Sequence, residues 1–132
     1  GGIDILVNNS GWEFNKPLLD TSWDEYRAVM DENVGGMFLM TRDVARLMID
    51  DRSGGVIVNV GGILGPHASV RGYAAYQASK GAVSAFSRAA AAELLPHGIR
   101  VNCISPGFVL SPGLRASRWV VSGRPMKSRR QW

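Results

Sequence analysis

Apolar residues along this chain fall into three short runs and two long periodic stretches. Ile3 to Val7 (Ile-Asp-Ile-Leu-Val) is rich in β-branched residues and is stopped by Asn8-Asn9-Ser10-Gly11, which predicts a buried strand meeting a turn. Residues 12 to 20 read as a loop, with Pro17 inside it. Ser22-Trp23-Asp24-Glu25 has the capping-box pattern and predicts a helix start. Tyr26, Val29, Met30, Val34, Met37, Phe38, Met40 and Thr41 then recur at helical spacing, and the pattern runs to about Ile49. Gly35-Gly36 interrupts it. Each glycine costs about 1 kcal/mol against alanine in a helix, so close packing or a local distortion is expected there.

A turn at Asp50 to Gly54 leads to a second predicted strand, Gly55 to Val60, stopped by Gly61-Gly62. Residues 61 to 72 are a Gly/Pro/Ser loop. Tyr73 to about Leu95 is a long Ala-rich helix, ended by Pro96-His97-Gly98. Ile99 to Ile104 is a third strand, broken by Ser105-Pro106-Gly107, and no period is visible beyond Leu110. Strand, helix, strand, helix, strand with short connections is two successive βαβ units, hence a parallel sheet with right-handed crossovers. Ligands of such sheets bind at the carboxyl ends of the strands. The three polar, glycine-rich breaks all fall at those ends.

Composition sharpens this only in places. A hydrophobic fraction of 45% suffices for a core, and 16 glycines beside Asn, Ser and Pro suggest tight loops near a ligand. The single Cys103 excludes an internal disulfide and reads as a core residue on a strand; a reducing, cytoplasmic setting fits it. His67 and His97 are too few for a metal site, so none is expected. No apolar run is long enough for a membrane span, and no membrane partner is expected. Through Val109 there are nine basic residues against eleven acidic ones; from Leu110 onward there are six basic residues and no acid. Such a tail can touch nucleic acid, but no recognition motif accompanies it, so it reads as a solvated or disordered end and no nucleic-acid partner is expected. The opening Gly1-Gly2-Ile3-Asp4 reads like the inside of a larger gene product.

The sharpest chemical feature is Tyr76-Gln77-Ala78-Ser79-Lys80. Positions four apart share a helix face, so the Tyr76 phenol and Lys80 ammonium project together. A fixed positive charge favours phenolate, and a Tyr tuned that way exchanges a proton with a carbonyl or alcohol near neutral pH. By itself the pair reads rather as a surface Tyr and a solvated Lys. It stands, however, in a fixed order with Asn8-Asn9-Ser10-Gly11, Asp31-Glu32-Asn33-Val34 and Pro106-Gly107-Phe108-Val109. In that order the chain resembles the short-chain dehydrogenase/reductases over roughly residues 1 to 112.

The resemblance implies an α/β fold: a partial Rossmann-like, doubly wound, three-layer parallel sheet without the family's first strands and last strand. Residues 1–112 would be the central and rear part of a dinucleotide-binding domain, and 113–132 a basic tail, disordered or aberrant. Tyr76 would be the general acid/base. Lys80 would lower its pKa and bind the nicotinamide ribose. Asn33 would hold a helix distortion open so that its carbonyl anchors a relay water. Asn9, Gly11, Pro106, Gly107 and Val109 would line NAD or NADP, while Asn8 would brace neighbouring strands. The substrate would be a small carbonyl compound or alcohol, and the protein a homo-oligomer. The resemblance also exposes two departures. Gly62 stands where the family has a serine that orients the substrate carbonyl, and Ser69, the one serine in the following loop, is not expected to reach the site. The family's glycine-rich phosphate loop, which belongs before this segment, is not among these residues. Both departures support an alternative reading, a non-catalytic remnant serving only for folding or association.

Overall fold

The computed structural model describes residues 2–107 and the backbone of two short segments, 120–121 and 124–125. Strand β1 (Ile5–Asn8) leads through a loop and a 3-10 turn (Leu18–Asp20) to helix α1 (Trp23–Met30). A π-helical turn (Asp31–Gly35) continues without a break into α2 (Gly36–Asp50). Strand β2 (Gly55–Val60), helix α3 (Ala74–Leu94), a 3-10 turn (Leu95–His97) and strand β3 (Ile99–Ile104) follow. Val120–Val121 (β4) and Arg124–Pro125 (β5) pair antiparallel. Val109 and most of the basic segment lie outside the described residues. Among the described residues no helix is long and apolar enough to cross a membrane.

The sheet is parallel with order β1-β2-β3. Side chains alternate strictly across it. Leu6, Ile57, Ile99 and Val101 point to one face, where Val44, Ala45 and Met48 of α2 and Ala90 of α3 close over them. Ile5, Val7, Arg100, Asn102 and Ile104 point to the other face and are exposed. The described elements therefore form two layers, and the third layer of the doubly wound reading has no counterpart among them. Two crossovers of the same hand, both stepping from β1 toward β3, bring their helices to one face. A helix on the other face requires a crossover stepping the opposite way.

Three local features match their sequence signals. Ser22 caps α1 reciprocally: its Oγ accepts from the Glu25 backbone N–H at 3.2 Å, and Glu25 Oε2 accepts from the Ser22 backbone N–H at 2.8 Å. Gly98 adopts φ 71°, the left-handed conformation that ends the segment after α3. The interruption at Gly35-Gly36 is the π-helical turn, which begins at Asp31 and places Asn33 on its buried side.

Glu25 also accepts from Lys16 Nζ at 2.7 Å, tying the loop after β1 to α1. The Lys16 ammonium and the Ser22 N–H hold the Glu25 carboxyl down at about 2, against an ordinary 4.5. A depressed folded-state pKa contributes stability that is present above pH 4.5 and is lost as pH falls toward 2. Glu25→Gln should remove that part of the acid sensitivity. Melting temperatures of wild type and variant should converge between these pH values, and a constant gap would show that the pair contributes nothing.

Candidate active site

A ladder of buried amides aligns the carboxyl ends of β1 and β2. Asn8 and Asn59 are register partners. Asn8 Nδ2 donates to Asn59 Oδ1 at 2.8 Å and to Thr41 Oγ1 of α2 at 3.1 Å. Asn59 Nδ2 donates to Ser87 Oγ of α3 at 2.9 Å, and Ser87 in turn donates to the Val83 carbonyl at 2.7 Å. Each member is partnered, as burial demands. The bracing role expected for Asn8 is what this geometry provides, and it fixes both long helices relative to the strand ends.

Above the ladder three loops leave the sheet at the same end. Residues 9–11 follow β1, Gly61-Gly62 follow β2, and Ser105 to Gly107 follow β3. The last two are stitched together: Gly61 N–H donates to the Ile104 carbonyl at 2.9 Å and Ile63 N–H to the Pro106 carbonyl at 3.1 Å. Asn33 then joins the first loop to α3. Its Oδ1 accepts from the Trp12 backbone N–H at 2.6 Å, and its Nδ2 donates to the Trp12 carbonyl at 3.0 Å and to Ser79 Oγ at 2.9 Å. Ser79 Oγ donates to the Tyr76 carbonyl at 2.7 Å. A four-point amide clasp of this kind holds the π-turn, the Trp12 backbone and the Tyr76 turn of α3 in one position.

Tyr76 and Lys80 lie one turn apart on α3. The Lys80 ammonium is 5.6 Å from the centre of the Tyr76 ring and donates to the Val60 carbonyl at 3.3 Å. The Tyr76 ring packs against the small cluster of Phe14, Val29 and Ala75. Gly11 closes the group. A Cβ there would come within 3.0 Å of Asn33 Oδ1 and 3.4 Å of Lys80 Nζ, so the backbone approaches these groups as only glycine readily permits.

Tyr76, Lys80, Asn33 and Gly11 thus converge. Pro106 and Gly107 lie on the neighbouring loop, Asn9 is exposed beside the end of β1, and Val109 falls outside the described residues. One expectation is corrected. Lys80 does not hold the Tyr76 phenol below its ordinary range in this geometry; the phenol is pushed up, first by burial, then by the Glu13 carboxylate and by Tyr73. The ammonium is itself pushed down by burial. Ser79 was not singled out from the sequence, although a serine three residues after Tyr76 in an Ala-rich helix is a recognisable back-bonding position. Ser69 is exposed in its loop. Gly62 carries no side chain toward the site, and among the described residues a Cβ placed on it would meet nothing closer than Lys80 Cγ at 3.9 Å.

Known proteins similar to this chain are oxidoreductases. The chain is 38% identical over 112 residues to an uncharacterized oxidoreductase of Escherichia coli, covering 85% of this chain and 44% of that protein. It is 44% identical over 110 residues to a cyclopentanol dehydrogenase of Comamonas, covering 83% of this chain and 43% of that protein. Among solved structures, an NAD+-bound xylitol dehydrogenase superposes with a TM-score of 0.79 at 40% identity, over 86% of this chain and 43% of its own. The chain therefore spans less than half the length of these relatives. The family model for short chain dehydrogenase matches residues 1–119. On that match and the clustered Asn33, Tyr76 and Lys80, the chain belongs to the short-chain dehydrogenase family.

Proposed function

We propose that the protein carrying this chain is an oxidoreductase that interconverts a secondary alcohol and a carbonyl compound, with NAD or NADP as hydride carrier. The observation that supports it most directly is the Asn33–Ser79–Tyr76 clasp with Lys80 on the next turn. The nicotinamide supplies or accepts the hydride when bound. Two features fit such a cofactor. Lys80 is buried, and its ammonium has three N–H donors but, among the described residues, a single carbonyl contact at 3.3 Å, which suits it to ribose hydroxyls. The bare Gly11 backbone leaves room beside it. Asn9, Pro106, Gly107 and Val109 would complete the contact from the strand ends.

In this reading the Tyr76 hydroxyl gives its proton to the carbonyl oxygen during reduction and takes it back during oxidation. Lys80 holds the cofactor beside it. Asn33, at the centre of the π-turn, would hold that distortion open so that its own backbone carbonyl anchors a relay water. Binding of NAD or NADP by the full protein, followed by turnover of a ketone panel read by nicotinamide absorbance, tests the reading. Absence of both binding and turnover would overturn it. We place the reaction in the cytoplasm, in keeping with a lone thiol.

We also propose self-association through α2 and α3. Their outer surfaces form an apolar groove lined by Phe38, Ala89 and Phe86, with Arg42 and Arg46 on one helix and Glu93 on the other. A two-fold axis would set each arginine pair against a glutamate of the second copy, as an isologous contact requires. Ala89→Glu, which puts a charge into the middle of the groove, should weaken the dimer by on the order of a hundredfold. Light scattering after size exclusion should show the wild type at oligomer mass and the variant shifted toward monomer. A monomeric wild type at micromolar concentration would refute the contact.

A further inference from the structure

Beside Tyr76 stands a polar pair, Tyr73 and exposed Glu13, that the proposed reaction does not use. The Tyr73 hydroxyl donates to Glu13 Oε1 at 2.9 Å. The Tyr73 ring lies edge-on to the Tyr76 ring with centroids 6.0 Å apart. The pair is held from both ends. Lys16 N–H donates to the Gly72 carbonyl at 2.7 Å, binding the Glu13 loop to the start of α3, and Gln77 Nε2 donates to the Val70 carbonyl at 2.6 Å, binding the loop before it. A Cβ on Gly72, at φ 80°, would come within 3.2 Å of Asn15 Oδ1, so the two loops are closely apposed there.

We propose that Glu13 and Tyr73 form a specificity element that favours alcohols and ketones carrying a further hydroxyl group and disfavours those carrying a carboxylate. The inference rests on the proposed activity. An ionised carboxylate only accepts hydrogen bonds and has room for about four. One oxygen of Glu13 is engaged by Tyr73, and the exposed side chain leaves the rest open to an arriving donor. A substrate with its carbonyl oxygen at Tyr76 would have this group within reach of its remaining atoms, since the Tyr73 ring that holds Glu13 lies edge-on to the Tyr76 ring. A second hydroxyl on it finds a charged acceptor, an aliphatic chain finds nothing to bond, and an anion meets like charge. The charge of Glu13 does reach the reacting phenol, since it is the second cause, after burial, of the raised Tyr76 pKa.

Three small alcohols differing at one carbon test this in the full protein: isopropanol, propylene glycol and lactate. The kcat/KM for propylene glycol should exceed that for isopropanol roughly tenfold, the order expected of one hydrogen bond to a charged group, and lactate should be the poorest. Glu13→Ala should bring all three ratios toward one, and Tyr73→Phe, which keeps the ring but no longer holds the exposed Glu13 side chain in place, should do so in part. Ratios are the readout because any effect on Tyr76 itself is common to the three substrates and cancels. Should Glu13→Ala lose isopropanol turnover as well, Glu13→Gln keeps the shape and must still relieve the discrimination against lactate. Turnover of isopropanol with no preference for the diol, or ratios unchanged in the variants, overturns the inference alone. Turnover of none of the three, with no binding of NAD or NADP, overturns the activity reading and the inference with it.

Discussion

Tyr76→Phe should lower kcat of the full protein by roughly a thousandfold, within the range that a positioned general acid/base contributes. The variant removes one oxygen and keeps the ring that packs on Phe14, Val29 and Ala75, so the fold and cofactor binding should persist. The sign of the pH dependence follows from the raised phenol. Reduction needs the phenol proton, which a raised pKa retains at neutral pH. Oxidation needs the phenolate, which a raised pKa withholds until the pH is alkaline. Ketone reduction should therefore hold its rate through neutral pH while alcohol oxidation climbs with rising pH. Steady-state rates in both directions, with the variant as control, decide it. A variant that keeps more than a tenth of wild-type kcat would remove Tyr76 from the chemistry, and an oxidation rate already flat at neutral pH would show that the phenol is not held up when cofactor binds.

How far these residues were legible beforehand depended on the range of the interactions involved. The capping box at Ser22, the stop at Gly98 and the three strands are local and were read from neighbouring residues. The distortion near Gly35-Gly36 was foreseen as a place, but its π-helical form depends on the Asn33 clasp to Trp12 and Ser79, residues 21 and 46 positions away. The role of Ser79 is hidden in the sequence for the same reason: it appears only once Asn33 is brought beside it. Spacing on a helix reports which groups share a face. It does not report that the phenol is buried, or that Glu13 from another loop is near. The number of layers likewise depends on strand order, which one run of βαβ units leaves open.

Gly62→Ser should raise the reductase rate of the full protein, by about a hundredfold if the restored hydroxyl donates to the substrate oxygen as an oxyanion-hole donor does. Two glycines after strand ends make the contrast that gives this expectation its content. At Gly65, with φ 107°, a Cβ would collide with the Gln77 carbonyl oxygen, so Gly65→Ser should cost stability without any gain. At Gly62 the Cβ direction is open among the described residues, where its one neighbour is Lys80 Cγ at 3.9 Å. A serine is thus accommodated on the side of the strand end that faces Lys80, the residue one turn beyond Tyr76. Equal melting temperatures for wild type and Gly62→Ser would confirm that the space is real, independently of turnover. A rate gain then identifies the missing hydroxyl as what limits the present site, and Gly62→Ala, which fills the same space without a donor, should give none. Equal rates for the serine and alanine variants would mean that the substrate oxygen already has its donor, supplied by Tyr76 with a bound water, and that the glycine costs the reaction nothing.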